Sequence, residues 1–458
     1  MQAHESSYNR NILLLLVVLT SFMNPFLGAA VNIALPKISE SLGMDAIAMS
    51  WVSMSFLLSS AVFLVPMGKV ADIVGRKRVF FIGNIILTLA SILCAISFSA
   101  PMLLASRVVQ GIGASMVFGT SMALITSAFP PYERGKAIGI AVSSVYLGLS
   151  VAPVLGGVLT QYLGWRNLFY TTIPVSIFVI AATLRYLKAE WAEAKGEKFD
   201  FKGSVIYVVF MSMLMVGFTR LPDPLAIVIT AIGVVGLVVF VLVELRVESP
   251  VLSISLFRNN RVFALSNLAA LINYAATFAI GFLLSLFLQY IKGLPPRDAG
   301  MLLVTQPVVM TLFASFSGRL SDRYSSNVLS SIGMAIIVLG LFMLTIIDGS
   351  TKNGYIIFCL MILGMGFGVF SSPNTNSIMG AVEKRYLGIA SATVSTMRLT
   401  GQMLSMGIAT LLIHLYIGSA TDISANKAVF LKSVQVSFVL FAGLCTLGVF
   451  ASLARRKH

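Results

Sequence analysis

The chain has 458 residues, of which 57% are hydrophobic and 11% are charged, and its mean hydropathy is +0.93. This composition excludes a soluble protein of two or three domains and indicates a membrane protein with many spans. The net charge of +15 would suit a nucleic-acid partner. The basic residues flank the apolar runs, however, and we interpret them as facing anionic lipid headgroups, with no nucleic acid as a partner.

Apolar runs of about 20 residues, long enough to cross the hydrocarbon core, recur along the whole chain. The first run begins at Asn11 and no small-residue cleavage site closes it, so we interpret it as a span and not as a signal peptide. The pattern predicts an all-α polytopic membrane protein with fourteen transmembrane helices, at 11–31, 48–66, 79–98, 103–128, 137–161, 167–187, 203–220, 224–245, 262–290, 299–317, 328–347, 354–378, 387–416 and 430–453.

The even number of spans puts both termini on the same side of the membrane. Lysines and arginines are concentrated in the connections on that side, so the positive-inside rule predicts that both termini are cytoplasmic. We therefore expect a multi-pass protein of the inner (plasma) membrane of a prokaryote, with the lipid bilayer as a partner.

Two predicted spans carry prolines and amides in their apolar runs. The first contains "FMNPFLGAAVNIALP" at 22–36, and the twelfth contains "GMGFGVFSSPNTNSIM" at 364–379. Unpaired amides are costly in lipid, so this pattern predicts broken or bent helices around a central cavity. Each amide could instead form a bond between helices. The candidate cavity residues are Asn24, Asn32, Tyr146, Asn273, Gln306, Asn374 and Gln402.

Two pairs of motifs recur along the chain with the same separation. "GKVADIVGRKR" at 68–78 corresponds to "GRLSDRYSSN" at 318–327, and "ERGKAIG" at 133–139 corresponds to "EKRYLGIA" at 383–390. This repeat indicates two homologous six-helix halves, and spans seven and eight have no counterpart. The predicted division is an N-terminal half at 1–188, a cytoplasmic linker at 189–202, an inserted transmembrane hairpin at 203–250 and a C-terminal half at 251–458.

These motifs resemble those of the major facilitator superfamily, and within it the fourteen-span drug:proton antiporter (multidrug efflux) branch, over nearly the whole chain. Gly68, Asp72, Gly75, Arg76 and Lys77 match its loop pattern G-x-x-x-D-x-x-G-R-K; Arg107, Gln110, Gly111 and Gly113 match its span-four pattern R-x-x-Q-G-x-G; and Gly148, Ala152, Pro153, Gly156 and Gly157 lie in "GLSVAPVLGG", which is similar to the antiporter motif. Ala152 stands where that motif prefers glycine. The resemblance implies the major facilitator fold and a monomeric secondary transporter of small molecules that works by alternating access, not an enzyme, with protons as a second possible cargo.

The repeated loops have the composition of a reversible latch. One carboxylate and several cations at the ends of related spans can pair while a gate is shut and separate when it opens. The alternative is a solvated loop that only sets topology. The candidate gating residues are Gly68, Asp72, Gly75, Arg76, Lys77, Glu133, Arg134, Gly318, Asp322 and Arg323. The small residues of span five predict close helix packing, either between the halves, as the resemblance implies, or as a plain packing motif.

The chain departs from the antiporter branch at the centre of span one. That branch commonly has an aspartate where "FLGAAVNIALP" places Leu27, and none of the 17 Asp and Glu falls in the apolar interior of a span; Glu244 comes nearest. Two arginines, Arg107 and Arg398, do lie inside spans. Backbone carbonyls and the amides of Gln110 and Gln402 are candidate compensating groups. The alternative is that Arg398, alone or together with Arg107, receives an anionic or strongly electron-rich group of the cargo.

The remaining reactive side chains indicate no further chemistry. Cys94, Cys359 and Cys445 lie within predicted spans, and the three histidines are too scattered for a metal site, so we expect no metal and no cofactor. Three functions stay open: an exporter of amphiphilic compounds coupled through peripheral groups such as Asp72 or Glu133, a facilitator or antiporter for a neutral or anionic metabolite, and a non-transporting receptor or scaffold.

Overall fold

A computed structural model describes residues 9–247, 257–258, 260–321, 324–382, 387–417 and 426–454. It confirms the all-α fold with fourteen helices long and apolar enough to span a membrane. They are α1 Arg10–Leu42, α2 Ala46–Val74, α3 Arg76–Ala95, α4 Ala100–Ala128, α5 Pro131–Tyr162, α6 Asn167–Tyr186, α7 Phe201–Thr219, α8 Pro224–Glu244, α9 Arg261–Ile291, α10 Pro296–Gly318, α11 Ser326–Leu344, α12 Asn353–Gly380, α13 Leu387–Ile417 and α14 Lys427–Leu453.

Helix α1 is longer than its predicted span because its polar end stays helical beyond the apolar stretch. Asn9 caps its start by accepting hydrogen bonds from the backbone N–H groups of Asn11 and Ile12. Its end comes at Gly43, whose φ of 63° places it in the left-handed region that ends helices. At ~1.5 Å per residue the helix is roughly 50 Å long, so it extends past a hydrocarbon core of about 30 Å.

The structure does not break α1 or α12 at their prolines, and the alternative, that these helices bend there, stays a prediction. Helix α1 continues through Pro25 and Pro36, and α12 continues through Pro373. A proline removes one backbone hydrogen bond, and neighbouring polar side chains can take up the freed groups within a bundle. In α1 the carbonyl that Pro25 leaves without a helical partner is that of Ser21, and next to it the side-chain amide of Asn24 donates to the carbonyl of Thr20 at 3.2 Å.

The helices pack as two groups and a pair. Helices α1–α6 pack mainly against one another, as do α9–α14, and the groups meet where α1 contacts α9, α2 contacts α13 and α5 contacts α10. Helices α7 and α8 form a hairpin that packs against α2 and α13. Its contact surface is rich in methionine and includes Met54, Met211, Met215 and Met403. The exact division of the chain at 188, 202 and 250 stays a prediction.

The alternating direction of the helices gives the bundle two ends. We call the end that carries Arg10, the α2–α3 connection and the α6–α7 linker the linker end, and the opposite end the far end. Cysteines placed at the exposed positions 195 and 258 should react with a membrane-impermeant maleimide from one side, and a cysteine at 223 from the other. The background would lack the three native cysteines, which are buried. Labelling of all three positions from the same side would contradict the hairpin.

Candidate functional site

At the linker end, Arg76 is the centre of a compact polar network. It is 7% exposed, and its Nε and Nη2 atoms lie 2.9 and 2.8 Å from Oδ1 of Asp72. Its Nη1 lies 2.7 Å from Oε1 of Glu193 and also donates to the hydroxyl of Ser127. Asp72 is therefore paired with a cation of its own loop, which agrees with the latch hypothesis but leaves a gating role untested.

The α6–α7 linker is docked against this loop by its backbone. The N–H of Arg76 donates to the carbonyl of Trp191 at 2.8 Å, and the N–H of Ala194 donates to the carbonyl of Asp72 at 3.0 Å. Between these bonds Gly75 has a φ of 127°, a conformation that other residues rarely adopt. The motif glycine thus permits a sharp turn directly beneath the linker.

Acidic side chains of the linker complete the contact. Glu190 Oε1 accepts a hydrogen bond of 2.9 Å from the backbone N–H of Lys77, and its Oε2 lies 3.7 Å from Nε of Arg78. Glu197 lies 2.6 Å from the Nζ of Lys69. The hydrophilic linker is therefore an ordered acidic partner of the basic loop. We call the loop and linker residues 69–78 and 190–197 the clasp.

The other predicted gating residues lie apart from the clasp or outside the described residues. Glu133, in the first turn of α5, is 3.9 Å from Nη1 of Arg10. Gly68 on α2 lies close to Gly119 on α4, and Gly318 on α10 faces α12. The side chain of Arg134 and all of Asp322 and Arg323 lie outside the described part of the chain.

The small residues of α5 allow two different helices to approach it. Towards α1, a Cβ atom on Gly148 would overlap the carbonyl oxygen of Phe22, and one on Gly156 would lie 2.8 Å from the Cβ of Ala30. Ala152 lies between them and is fully buried. One side of the α5 face thus packs within its own group of six helices.

The same face also contacts the other group, close to the far end. A Cβ atom on Gly157 would lie 2.6 Å from the carbonyl oxygen of Pro296, and one on Gly300 would overlap the carbonyl oxygen of Pro153. The backbones of α5 and α10 are therefore in direct contact, which favours packing between the halves over a motif internal to one half.

Asn32 also lies at a contact between the groups. Its side-chain oxygen accepts a bond of 2.6 Å from the hydroxyl of Ser53, and its backbone carbonyl accepts one of 3.1 Å from Ser285 on α9. The next carbonyl, of Ile33, accepts a bond of 3.0 Å from Gln289. In the structure Asn32 therefore joins helices, the alternative to a cavity-lining role.

Arg107 is enclosed within the first group of helices. It is 1% exposed, its Nε donates to the carbonyl of Val52 at 2.9 Å, and its Cζ lies 4.4 Å from the ring centre of Phe56. Its Nη1 donates to the side-chain oxygen of Gln110, whose amide donates to Ser91 at 2.9 Å. Carbonyl, amide and ring contacts thus offset part of the cost of burying this charge, and its buried Nη2 has no hydrogen-bond partner among the described residues.

A small polar cavity lies next to this cluster. It is enclosed by α1, α3, α4 and α6, all within the first group of helices. Asn24 and Gln110 line it, and the remaining lining residues are Thr20, Met23, Leu27, Asn84, Leu87, Ser91, Thr172, Val175, Ser176 and Val179. Asn24 therefore borders a cavity, but one inside the first group and not between the two groups.

The remaining amide candidates are scattered over the second group. Asn374 donates to the carbonyl of Ser266 at 3.3 Å. Asn273 is fully buried, and neither atom of its amide has a hydrogen-bond partner among the described residues. Gln306 and Gln402 are partly buried. The role of Gln402 as a compensating group for the arginines stays a prediction.

Between the two groups, at mid-depth, hydroxyl groups meet. The Tyr146 hydroxyl on α5 lies 3.0 Å from the hydroxyl of Ser371 on α12. Tyr274 on α9 lies nearby: its ring centre is 5.5 Å from that of Phe367 on α12, and a Cβ atom on Gly401 of α13 would lie 2.8 Å from its Cβ. Tyr146 and Arg398 were predicted from the sequence, whereas Ser371 and Tyr274 were missed, because neither residue type is unusual in a membrane helix.

Fourteen spans, a backbone contact between two groups of six helices and polar groups where those groups meet define a polytopic membrane transporter, not an enzyme. The profile of the Major Facilitator Superfamily matches residues 17–406 and 266–457. The chain belongs to this superfamily, as the sequence motifs predicted.

Curated relatives are transporters and resistance proteins. The chain is 29% identical over 395 residues to the riboflavin transporter RibZ of Clostridioides difficile, covering 84% of both chains. It is 29% identical over 432 residues to the multidrug resistance protein Stp of Mycobacterium tuberculosis, covering 92% of this chain and 79% of the relative. It is 27% identical over 419 residues to the methylenomycin A resistance protein of Bacillus subtilis, covering 90% of this chain and 89% of the relative.

Solved structures share the fold. The nucleoside transporter NupG superimposes with a TM-score of 0.67 at 14% identity, covering 98% of this chain and 100% of its own. A bacterial homologue of the human lysosomal transporter Spinster superimposes with a TM-score of 0.66 at 16% identity, covering 97% of this chain and 96% of its own. At these identities the likeness concerns the fold alone.

Proposed function

We propose that the protein is a secondary active transporter that exports amphiphilic small molecules by alternating access. The observation that carries the proposal is the backbone contact between α5 and α10, at Gly157 and Gly300, through the motif that resembles the antiporter motif of efflux proteins. Two close-packed backbones form a seam that can open and close as a unit when the halves rock. The names of the multidrug and methylenomycin A resistance relatives support export over uptake.

If export is coupled to protons, we propose that carboxylates at the periphery of the bundle carry them. The apolar interior of the spans holds no Asp or Glu, and Leu27 replaces the acid common in the antiporter branch. Asp72 in the clasp and Glu133 at the start of α5 are the candidate proton carriers. The linker end and both termini are proposed to face the cytoplasm of a prokaryotic cell from its inner membrane, with the protein acting as a monomer.

A second candidate function is facilitated transport or antiport of an anionic or neutral metabolite. The name of the riboflavin transporter relative favours it, as do two arginines and no acid in the spans. The receptor or scaffold alternative has no comparable support.

Accumulation of test compounds in cells tests the export proposal. In a host without its own efflux pumps, the protein should lower the steady-state content of amphiphilic dyes relative to an empty vector. A protonophore should abolish the difference if export is proton-coupled. Asp72→Asn removes the carboxylate that Arg76 binds and should slow export at an unchanged protein level. Equal dye content with and without the protein, across cationic, neutral and anionic dyes, would contradict export.

A further inference from the structure

Arg398 is a charged side chain with unused hydrogen-bonding capacity in the middle of the bundle. It lies about 17 Å from the linker-end start of α13, counted at ~1.5 Å per residue, and is only partly buried. Among the described residues no carboxylate, carbonyl or amide pairs with its guanidinium. A guanidinium has five N–H donors and no acceptor, so this position offers donors and a positive charge.

The groups around Arg398 extend this donor set across the boundary between the two groups of helices. Tyr274 on α9 packs against α13 within one helical turn of Arg398, since a Cβ atom on Gly401 would lie 2.8 Å from the Cβ of Tyr274. Ser371 on α12 lies 3.0 Å from the hydroxyl of Tyr146. Tyr146 belongs to α5, in the first group. At ~1.5 Å per residue, Tyr146 and Tyr274 lie roughly 20–23 Å from the linker-end starts of their helices, a depth similar to that of Arg398.

Aromatic surface adjoins these polar groups. The ring of Tyr274 packs edge-on against Phe367, with ring centres 5.5 Å apart and an angle of 70°. Together the residues offer a cation, hydroxyl donors and an aromatic wall. This combination suits a planar ligand that carries a carboxylate or another electron-rich group.

Arg107 provides an internal comparison. It is fully enclosed, and its contacts to Val52, Gln110 and Phe56 use its Nε, its Nη1 and the face of its guanidinium, whereas its buried Nη2 has no hydrogen-bond partner among the described residues. The described contacts of Arg107 all lie within the first group of helices, so an anion site shared by both arginines stays a prediction. Only Arg398 adjoins polar groups from both groups of helices.

We propose that Arg398, Tyr274 and Tyr146 form a mid-membrane site for the carboxylate or other electron-rich group of an aromatic substrate. This inference rests on the proposed transport function and narrows its substrate class. Because Tyr146 lies on one group of helices and Arg398 and Tyr274 on the other, a ligand that contacts all three bridges the boundary that must open and close. Dicationic compounds should be poor substrates, since the arginine repels them and no interior acid compensates.

Equilibrium binding of three matched probes tests the site. 2-Naphthoate, 2-naphthalenemethanol and 2-naphthylmethylammonium share one aromatic ring and differ in charge. With the purified protein in zwitterionic nanodiscs, calorimetric titration should give naphthoate at least a ~10-fold lower Kd than the ammonium compound, because the charged donor is matched by a charged acceptor. Arg398→Gln should raise the naphthoate Kd about 10-fold or more and leave naphthalenemethanol binding within about twofold.

Further variants separate the site from a general charge effect. Arg398→Lys keeps the positive charge but loses the planar guanidinium, so its Kd for naphthoate should lie between those of wild type and Arg398→Gln. Tyr274→Phe and Tyr146→Phe should each weaken naphthoate binding by roughly 2–10-fold, the usual range for one hydrogen bond. Arg185→Gln removes a charge from an exposed position near the end of α6 and should bind naphthoate like wild type.

Three outcomes would overturn the site: no naphthoate binding by the wild type, equal or tighter binding of the ammonium probe, or unchanged naphthoate binding in Arg398→Gln. Export from cells is measured separately, so the two proposals can fail independently. A protein that exports dyes but binds naphthoate equally with and without Arg398 keeps the transport function and loses this site. One that binds naphthoate through Arg398 but moves no compound keeps the site and loses the transport function.

Discussion

Replacing Gly300 with alanine is expected to force α10 away from α5 and to reduce export at least about tenfold, since overpacking a close contact costs ~1–3 kcal/mol. The added Cβ atom would overlap the carbonyl oxygen of Pro153, a backbone atom that no side-chain rotation can move. The far-end seam could then close only if one helix shifted. Gly157→Ala should act in the same direction, because its Cβ atom would lie 2.6 Å from the carbonyl oxygen of Pro296.

The matched controls are glycines with open space around them. Gly139 on α5 and Gly281 on α9 have no atom within 4 Å of an added Cβ, so alanine there should leave export unchanged. Alanine should also raise helix stability at these positions by roughly 0.5–1 kcal/mol. Export from cells and thermal unfolding of the purified proteins would be compared across the four variants. Wild-type export by Gly300→Ala would show that the seam does not need backbone contact.

Arg76→Gln is expected to release the linker from the α2–α3 connection and to lower the stability of the linker end. The substitution removes the shared cation partner of Asp72 and Glu193 and leaves their charges close together. The side chain of Asp72 is 39% exposed and that of Glu193 is 66% exposed, so solvent screens both charges and we expect a loss of about 1 kcal/mol, at the low end for hydrogen bonds to charged groups. The release should appear as faster proteolysis within 190–197 and a lower Tm.

Arg78→Gln is the control, because its side chain is 68% exposed and its contact with Glu190 is 3.7 Å long. Exposed ion pairs contribute only ~0–1 kcal/mol, so this variant should resemble wild type. High salt should weaken the Arg78 contact more than the Arg76 network, since screening acts mainly on exposed charges. Equal proteolysis of wild type and Arg76→Gln would mean that the backbone bonds alone hold the linker.

The membrane spans could be predicted because a span is a continuous apolar run, which is visible in neighbouring residues along the chain. The ends of the helices were harder to predict, because a polar segment can stay helical beyond the lipid, as α1 does up to Leu42. The sequence could not decide whether Pro25 breaks α1, because the surrounding bundle determines whether a proline interrupts a helix; the structure shows that α1 continues through it.

The clasp shows what the sequence could not reveal. The acidic residues of the linker were visible as a charged segment, but their partners lie more than one hundred residues earlier, and nothing local pairs Glu193 with Arg76. Arg398 was recognisable as a charge inside a span, whereas its neighbours Tyr274 and Ser371 are ordinary residues until the fold brings three helices together. Local composition therefore identified the charged residue inside a span, and it missed the tyrosine and serine that the fold places on neighbouring helices.

The α7–α8 hairpin makes the two sides of the transporter unequal towards the bilayer. It lies over the line where α2 meets α13, whereas the line between α5 and α10 has no such cover among the described helices. An amphiphile that enters sideways from the lipid would therefore have one open route. The methionines at the covered line, including Met215 and Met403, have flexible side chains that would repack if the halves rock as proposed. In that cycle the hairpin would keep one line sealed, and lateral entry would have a direction.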